Sequence, residues 1–499
     1  MAELKEYMHL KSGTDIRGVA SEGAGESVEL TDEKVYSITR AFVKWLLAKS
    51  GKQALTVSVG HDSRISAERI KKQVVDALVS GGVHVIDCSL CSTPAMFMTT
   101  VDLDCDGAVQ ITASHHPWHR NGLKFFTRDG GLDSCDIEEI LVSAFNGEGI
   151  EARQPGTVEN KNYLDMYCVR LRKMICDGVQ AENYEKPLAG YKIAVDAGNG
   201  VGGFYAHGVL EPLGADVSGS RFLEPDGMFP NHIPNPEKAE AMDAISDAVI
   251  SSGSDFGVIF DTDVDRAACV DETGKEINRN RLVALAAAVA LEGNAGGTIV
   301  TDSVTSDGLK TFIEQELGGV HWRFKRGYKN VINEQIRLNG EGVNCPLAIE
   351  TSGHAALREN YYLDDGAYLI TKFIIKMAQL GKEGKKLDSL ISALKEPAEA
   401  KEYRFKILQE DFRSCGNAVI AQLEKYSAEN GFVIADDNRE GIRVSIPECK
   451  GWFLLRLSVH DPIMPMNIES DVEGGVQAIA DRLVPFFEKC GGLDISPIK

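Results

Sequence analysis

The densest chemistry in the chain lies in Thr112-Ala113-Ser114-His115-His116-Pro117, with Asn121-Gly122-Leu123-Lys124 close behind. The preceding apolar run, Gly107-Ala108-Val109-Gln110-Ile111, breaks into small, polar and Pro residues, as a buried strand does when it delivers an exposed loop. This pattern predicts that Ser114 is presented rather than buried. A Ser beside His115, with Lys124 downstream, can accept and pass on a charged acyl or phosphoryl unit, the Lys serving as cation or proton carrier. No Gly-x-Ser-x-Gly elbow is present, which disfavours acyl-transfer hydrolysis. Alone, the Ser-His pair reads as a polar turn, and the other loops of the chain give it weight.

Asp261-Thr262-Asp263-Val264-Asp265-Arg266 sets three carboxylates at alternate positions directly after the apolar run Phe256-Gly257-Val258-Ile259-Phe260. Adjacent negative charges repel unless a cation sits among them, so a hard divalent ion, Mg²⁺, is expected ahead of a solvated acidic turn. An EF-hand would explain Glu272 at the twelfth position, but Arg266 stands at the sixth, where Gly is required, and the flanks read as strands. A second rival makes Asp261 itself a phosphoryl-accepting nucleophile and leaves the Ser114 loop without a task. In Glu350-Thr351-Ser352-Gly353-His354, carboxylate and hydroxyl at alternate positions suit sugar hydroxyls, and His354 can carry a proton or face a phosphate. Arg17, within Gly13-Thr14-Asp15-Ile16-Arg17-Gly18, and Arg456-x-Ser458 are phosphate-friendly by the bidentate reach of Arg. Singly, either Arg reads as a surface ion pair.

These loops need strands to position them, and an internal repeat supplies the strands. Residues 55–60, 192–196 and 297–301 each read as a strand followed by a polar loop and a helical run. The helices end at Gly81-Gly82, Gly214 and Gly318-Gly319, and new strands follow at 83–86, 215–217 and 320–322. After each unit a short apolar strand, 108–111, 256–260 or 346–349, opens into one of the chemical loops. The expected fold is α/β: three similar domains with mixed sheets around a central cleft, at 1–160, 161–293 and 294–398, plus a smaller α+β domain at 399–499. The last is read as strands at 403–408, 441–446 and 451–458 with helices at 416–427 and 471–489, behind a charged, Pro-containing boundary at 395–402.

A chain of 499 residues with 43% apolar content is too long for one core, which agrees with three or four domains. A formal net charge of −21 argues against nonspecific nucleic-acid binding or adhesion to acidic membranes, while leaving room for a local basic pocket. No apolar run long enough to span a membrane is present and the first residues mix Glu and Lys, so a cytoplasmic protein is expected, or an organellar (plastid) one if a transit peptide has been removed. Eleven scattered Cys fit reduced thiols, and the lone Cys88-x-x-Cys91 pair reads as core filling ahead of a redox pair.

Taken together, Thr112-Ala113-Ser114-His115-x-Pro117, Asp261-x-Asp263-x-Asp265-Arg266, Glu350-x-Ser352-Gly353-His354 and Arg456-x-Ser458 resemble the α-D-phosphohexomutases of phosphoglucomutase/phosphomannomutase type. Order and spacing agree over essentially the whole chain, as do Ile16-Arg17-Gly18, Val59-Gly60-His61-Asp62-Ser63-Arg64 and Pro225-Asp226-Gly227. The resemblance implies that Ser114 is a phosphoserine and that its phosphate joins Asp261, Asp263 and Asp265 around one Mg²⁺. By the same resemblance Lys124 and Arg17 flank the transferring group beside His115. Arg266, Gly327-Tyr328-Lys329, Glu350, Ser352 and His354 contact the sugar, and Arg456, Ser458 and His460 hold the distal phosphate. The implied reaction interconverts hexose 1-phosphate and hexose 6-phosphate, of glucose or mannose, through a hexose 1,6-bisphosphate that also serves as activator. Small phosphosugars are then the partners, without nucleic acid or membrane, for a monomer or dimer.

The chain departs from the family pattern in Arg456-Leu457-Ser458-Val459-His460-Asp461-Pro462, where most members carry Arg-x-Ser-Gly-Thr-Glu-Pro. Val459 replaces the Gly that lets backbone N–H groups approach phosphate. His116 replaces a usual Asn. A weakened clamp opens two other expectations within the fold: a hexose 1,6-bisphosphate synthase or a mutase for another phosphosugar such as phosphoglucosamine, and a catalytically impaired binding or scaffold protein.

Overall fold

The computed structural model describes residues 4–458 and 461–499. It groups them into two compact units: the residues up to Asn278 with Ser352–Ser389, and Arg279–Thr351 with Leu390–Lys499.

The first unit opens with a mixed sheet of β1 (Lys11–Ser12), β2 (Asp15–Val19), β3 (Thr56–His61), β4 (His84–Leu90), β5 (Gly107–Ile111), β6 (Arg120–Thr127), β7 (Gly130–Gly131) and β8 (Thr157–Asn160). The order is β1-β2-β6-β5-β3-β4-β8, with β7 on β6. Strands β5, β3, β4 and β8 run parallel, and β6 pairs antiparallel with both β5 and β2. Parallel strands need cover on both faces. The helix Ala67–Ser80 supplies part of it, burying Ile70, Val74, Ala77 and Leu78 at helical spacing while Val57, Val59, Val85 and Val109 face the same core. A second mixed sheet, β12-β11-β10-β9, is built from β9 (Ile193–Asp196), β10 (Phe256–Phe260), β11 (Ala267–Asp271) and β12 (Glu276–Ile277), and here β9 and β10 are parallel.

In the second unit β13 (Thr298–Thr301) lies between parallel neighbours β14 (Val320–Arg323) and β15 (Leu347–Ile349). After Thr351 the chain is again part of the first unit, with the hairpin β16 (Ala355–Leu357) and β17 (Leu363–Asp364) and the helix Gly366–Lys382. The last sheet, in the second unit, is antiparallel and ordered β19-β20-β21-β22-β18-β23, from β18 (Glu399–Ile407), β19 (Val433–Ile434), β20 (Ile442–Ile446), β21 (Gly451–Leu455), β22 (Ile463–Ser470) and β23 (Leu493–Asp494). The α/β class with mixed sheets and a final sheet-and-helix domain is the one expected. The chemical loops leave the carboxyl ends of β5, β10 and β15.

Some elements differ from expectation. Residues 215–217 form no strand. Asp216 turns back on itself to accept from the Ser218 N–H at 2.9 Å, and only the bridges Lys192↔Asp216 and Asp196↔Arg221 reach the sheet. The helical run before it is a π-turn, Tyr205–Leu210, tightening to a 3₁₀ turn at Glu211–Leu213 around Pro212. The long strand β22 went unexpected and is an interior strand of its sheet.

Candidate active site

Strand β5 ends one residue before Thr112, and the loop that follows is folded inward. The Thr112 hydroxyl donates to Asp62 Oδ2 at 2.7 Å and accepts from the Ser114 N–H at 2.9 Å. The Arg64 guanidinium, paired with Asp62, donates to the carbonyls of Pro117 at 2.6 Å, His116 at 2.7 Å, Arg120 at 3.0 Å and Ser114. Contrary to the presented Ser read from the sequence, Ser114 is 3% exposed. The residue has φ of 50°, a left-handed conformation costly for a side chain with Cβ and held here by the Arg64 and Thr112 contacts. Asn121-Gly122 on β6 lets the neighbouring strand come close, since a Cβ on Gly122 would stand 2.3 Å from the Ile16 carbonyl oxygen.

The Asp261–Arg266 loop of β10 meets this loop within the same unit. Ser114 Oγ donates to Asp261 Oδ2 at 3.1 Å and lies 3.3 Å from His115 Nδ1. Arg266, expected as a substrate contact, sits on the serine: Nη2 donates to Ser114 Oγ at 3.2 Å and to His115 Nδ1 at 2.5 Å, while Nε donates to Asp261 Oδ2 at 3.1 Å. That guanidinium, followed by burial, holds the His115 imidazole well below its usual range. His115 is therefore a neutral acceptor. Burial, helped by Arg17, brings His116 down to about 3. Arg17, on β2 opposite Gly122, is paired with Asp15 at 2.8 Å.

Carboxylate oxygens of Asp261, Asp263 and Asp265 lie within 4.8 Å of one another, and all three residues are fully buried. Burial and the neighbouring Asp265 push Asp261 well above the carboxylate range. Burial also opposes ionisation of Asp265, but Lys124, with His354 and Arg266 behind it, holds that group well below the range. Lys124 on β6 donates to Asp265 Oδ2 and stands 3.3 Å from Asp263 Oδ2. Asp263 Oδ1 and Asp265 Oδ1 are buried without a hydrogen-bond partner. Two orphaned carboxylate oxygens in an all-oxygen donor set, where like charges crowd, fit a hard divalent cation.

His354, from the loop before β16, donates from Nδ1 to Asp364 Oδ2 at 3.0 Å and lies 3.9 Å from Asp265 Oδ1. Burial opposes its charged form, yet Asp265 and Asp364 raise it overall. Gly353 before it has φ of 98°, and a Cβ there would meet the Ala267 carbonyl oxygen at 2.8 Å. Ser352 is buried in the same unit. The first unit thus brings together Arg17, Ser114, His115, Lys124, Asp261, Asp263, Asp265, Arg266 and His354.

The remaining expected residues belong to the second unit. Glu350 Oε1 accepts from the Gly327 N–H at 2.6 Å, at the start of the helix Tyr328–Gly340 whose first turn carries Lys329. Arg456 follows β21, and its Nε is buried without a hydrogen-bond partner. Burial and the nearby Arg326 lower its pKa. The Ser458 N–H donates to the Ile463 carbonyl at 2.9 Å. Val459 and His460 lie outside the described residues. Sequence reasoning missed Arg326, whose only signal was its place before Gly327, and also Asp302, Thr93 and Asp364. The Cys88-x-x-Cys91 pair is buried, with Cys88 pushed up to about 12 by burial and Cys91 also well above its usual value, so both thiols stay protonated as core groups.

Among the described residues no helix is long and apolar enough to cross a membrane. Residues 9–150, 167–274 and 278–397 match, in turn, the alpha/beta/alpha domains I, II and III of phosphoglucomutase/phosphomannomutase. A phosphomannomutase/phosphoglucomutase of Pseudomonas putida is 31% identical over 468 residues, covering 94% of this chain and 93% of that protein. A phosphoglucomutase/phosphomannomutase of Thermococcus kodakarensis is 30% identical, over 92% of this chain and 94% of that one. Among solved structures, a phosphoglucomutase/phosphomannomutase family protein of Burkholderia thailandensis shares the fold with a TM-score of 0.81 at 24% identity, over 99% of both chains. With three consecutive domain matches and relatives aligned over nearly their full length, the chain belongs to the phosphoglucomutase/phosphomannomutase family of enzymes.

Proposed function

We propose that this protein interconverts the 1- and 6-phosphates of glucose, mannose or both, with Ser114 as the residue that carries the phosphoryl group. The observation that carries the reading is the Ser114 hydroxyl 3.1 Å from Asp261 Oδ2, at the edge of a buried three-carboxylate cluster. Asp261, Asp263 and Asp265 would hold Mg²⁺ together with the Ser114 phosphate, and the ion would supply charge neutralisation for the transfer. In the forward step the bond from phosphorus to Ser114 Oγ breaks as one forms to a sugar hydroxyl oxygen. The hydroxyl proton leaves to Lys124 acting from its neutral form and passes on to Ser114 Oγ, whose developing charge Arg266 stabilises. The resulting 1,6-bisphosphate turns and returns its other phosphate to Ser114, which makes a trace of bisphosphate an activator.

Glu350, Ser352 and the Gly327-Tyr328-Lys329 turn are assigned to the sugar, and Arg456, Ser458 and His460 to the distal phosphate. The buried, unpartnered Arg456 Nε supports this, and Arg326 joins the phosphate group by its charge beside Arg456. Four domains, at 1–160, 161–293, 294–398 and 399–499, suit strands β1–β8, β9–β12, β13–β17 and β18–β23. The helix Asn280–Leu291 packs on β15, which moves the boundary between the second and third domains from 293 to just before this helix.

Purified protein with Mg²⁺, glucose 1-phosphate or mannose 1-phosphate and a trace of the matching 1,6-bisphosphate should form 6-phosphate, and Ser114→Ala should abolish it. Turnover that survives in Ser114→Ala would overturn the assignment. Release of free bisphosphate as the main product would instead favour a bisphosphate synthase, in keeping with Val459 and His460 in the clamp.

A further inference from the structure

The three aspartates are not held alike. Asp261 is bound by Ser114 and Arg266, and Asp265 by Lys124. Asp263 is bound by an element of the first sheet's domain, the helix Thr93–Asp102, far away in sequence. Ser92 caps this helix by accepting from the Ala95 N–H at 3.3 Å, and Pro94 suits its first turn. The Thr93 N–H is one of the donors that a helix start leaves without an intrahelical acceptor. It donates to the Asp263 carbonyl at 2.9 Å, and the Thr93 hydroxyl donates to Asp263 Oδ2 at 2.5 Å. Both residues are buried, Thr93 at 2% exposure. Lys124 Nζ stands 3.3 Å from the same Oδ2, so this oxygen is taken up on two sides while Oδ1 has no hydrogen-bond partner.

Resting on the reading of the aspartate loop as a divalent-cation site, we infer that Thr93 is a positioning residue for that site: it clamps Asp263 by carbonyl and Oδ2 so that Oδ1 alone is offered to the cation. Groups that orient a metal ligand set its affinity although they never touch the ion, with losses on the order of 10- to 100-fold when removed. Thr93 does this across two domains, because the loop of β10 is gripped by a helix that belongs with β5.

The test is a titration of the full chain with Mn²⁺, free ion being read by electron paramagnetic resonance, beside a thermal melt in EDTA. Thr93→Val keeps the β-branched shape and removes the hydroxyl; Thr93→Ser keeps the hydroxyl. The expected result is Mn²⁺ binding weakened about tenfold or more in folded Thr93→Val and near wild type in Thr93→Ser. Wild-type affinity in Thr93→Val, even with a lowered melting temperature, would overturn the inference and leave Thr93 a purely structural residue. Should Thr93→Val not fold, Thr93→Ala carries the same expectation. Absence of Mn²⁺ binding by the wild-type protein would instead defeat the cation reading of the loop, and the positioning role with it.

Discussion

Asp302 stands at the end of β13, fully buried, with Oδ2 accepting from the Thr351 hydroxyl at 2.8 Å and Oδ1 without a hydrogen-bond partner. Burial pushes its pKa up to about 7; Glu350 adds to the rise and Arg326 works against it. The group is neutral below that value and negative above it, so its charge appears within the working range of most enzymes. With Arg326 holding the sugar phosphate as proposed, a new negative charge beside it would weaken that hold. KM for the sugar phosphate should therefore rise as pH climbs through about 7, by roughly three- to tenfold for one like charge in a partly screened site. Asp302→Asn should flatten that rise, and a KM profile of the variant as steep as wild type would dismiss the role. Linkage has a matching sign. Because the folded value lies above the ordinary 3.8, the stabilisation is complete below 3.8 and is lost as pH rises through about 7.

At the scale of elements, the Ser114 loop owes its shape to Arg64, whose guanidinium reaches four carbonyls of residues 114–120 while paired with buried Asp62. A Lys at this position keeps the charge but lacks the planar fork, so the carbonyls lose their donors in a dry site. Arg64→Lys should cost about 3 kcal/mol or more, read by urea denaturation, together with most of the turnover. Unchanged stability with normal turnover would show that the loop holds itself. This is also where the sequence stops being legible. The strand-then-loop pattern located Ser114, the aspartates and Glu350, because an abrupt change from apolar to polar marks a strand end whatever lies around it. It could not tell that Ser114 would be buried, since that depends on Arg64, fifty positions earlier, folding over the loop. The Thr93 contact to Asp263 was invisible for the same reason. Strand β22 carries Pro465, a residue that argues against an interior strand. The fold accommodates it: Pro465 sits opposite Arg404 in the register with β18, and its carbonyl accepts from the Arg456 N–H at 3.1 Å. Residues 215–217 read as a strand by composition, yet the Asp216 side chain captures the local backbone first.

Over the whole molecule a net charge of −21 coexists with the cationic groups that the proposed function assigns to phosphate: Arg17, Lys124 and Arg266 in one unit, Arg326 and Arg456 in the other. A net negative charge repels polyanions at long range, while a small anionic phosphosugar can still meet local positive charge. The proposed reaction requires the phosphoryl group to reside on Ser114 and not on Asp261, the other nucleophile the sequence allowed. The most direct measurement is peptide mass spectrometry of the protein after incubation with Mg²⁺ and glucose or mannose 1,6-bisphosphate. One phosphoryl group is expected on the peptide containing Ser114, stable to mild alkaline hydroxylamine and missing from Ser114→Ala. A phosphoryl group on the peptide containing Asp261, released by hydroxylamine, or no phosphoryl group on folded protein, would contradict it.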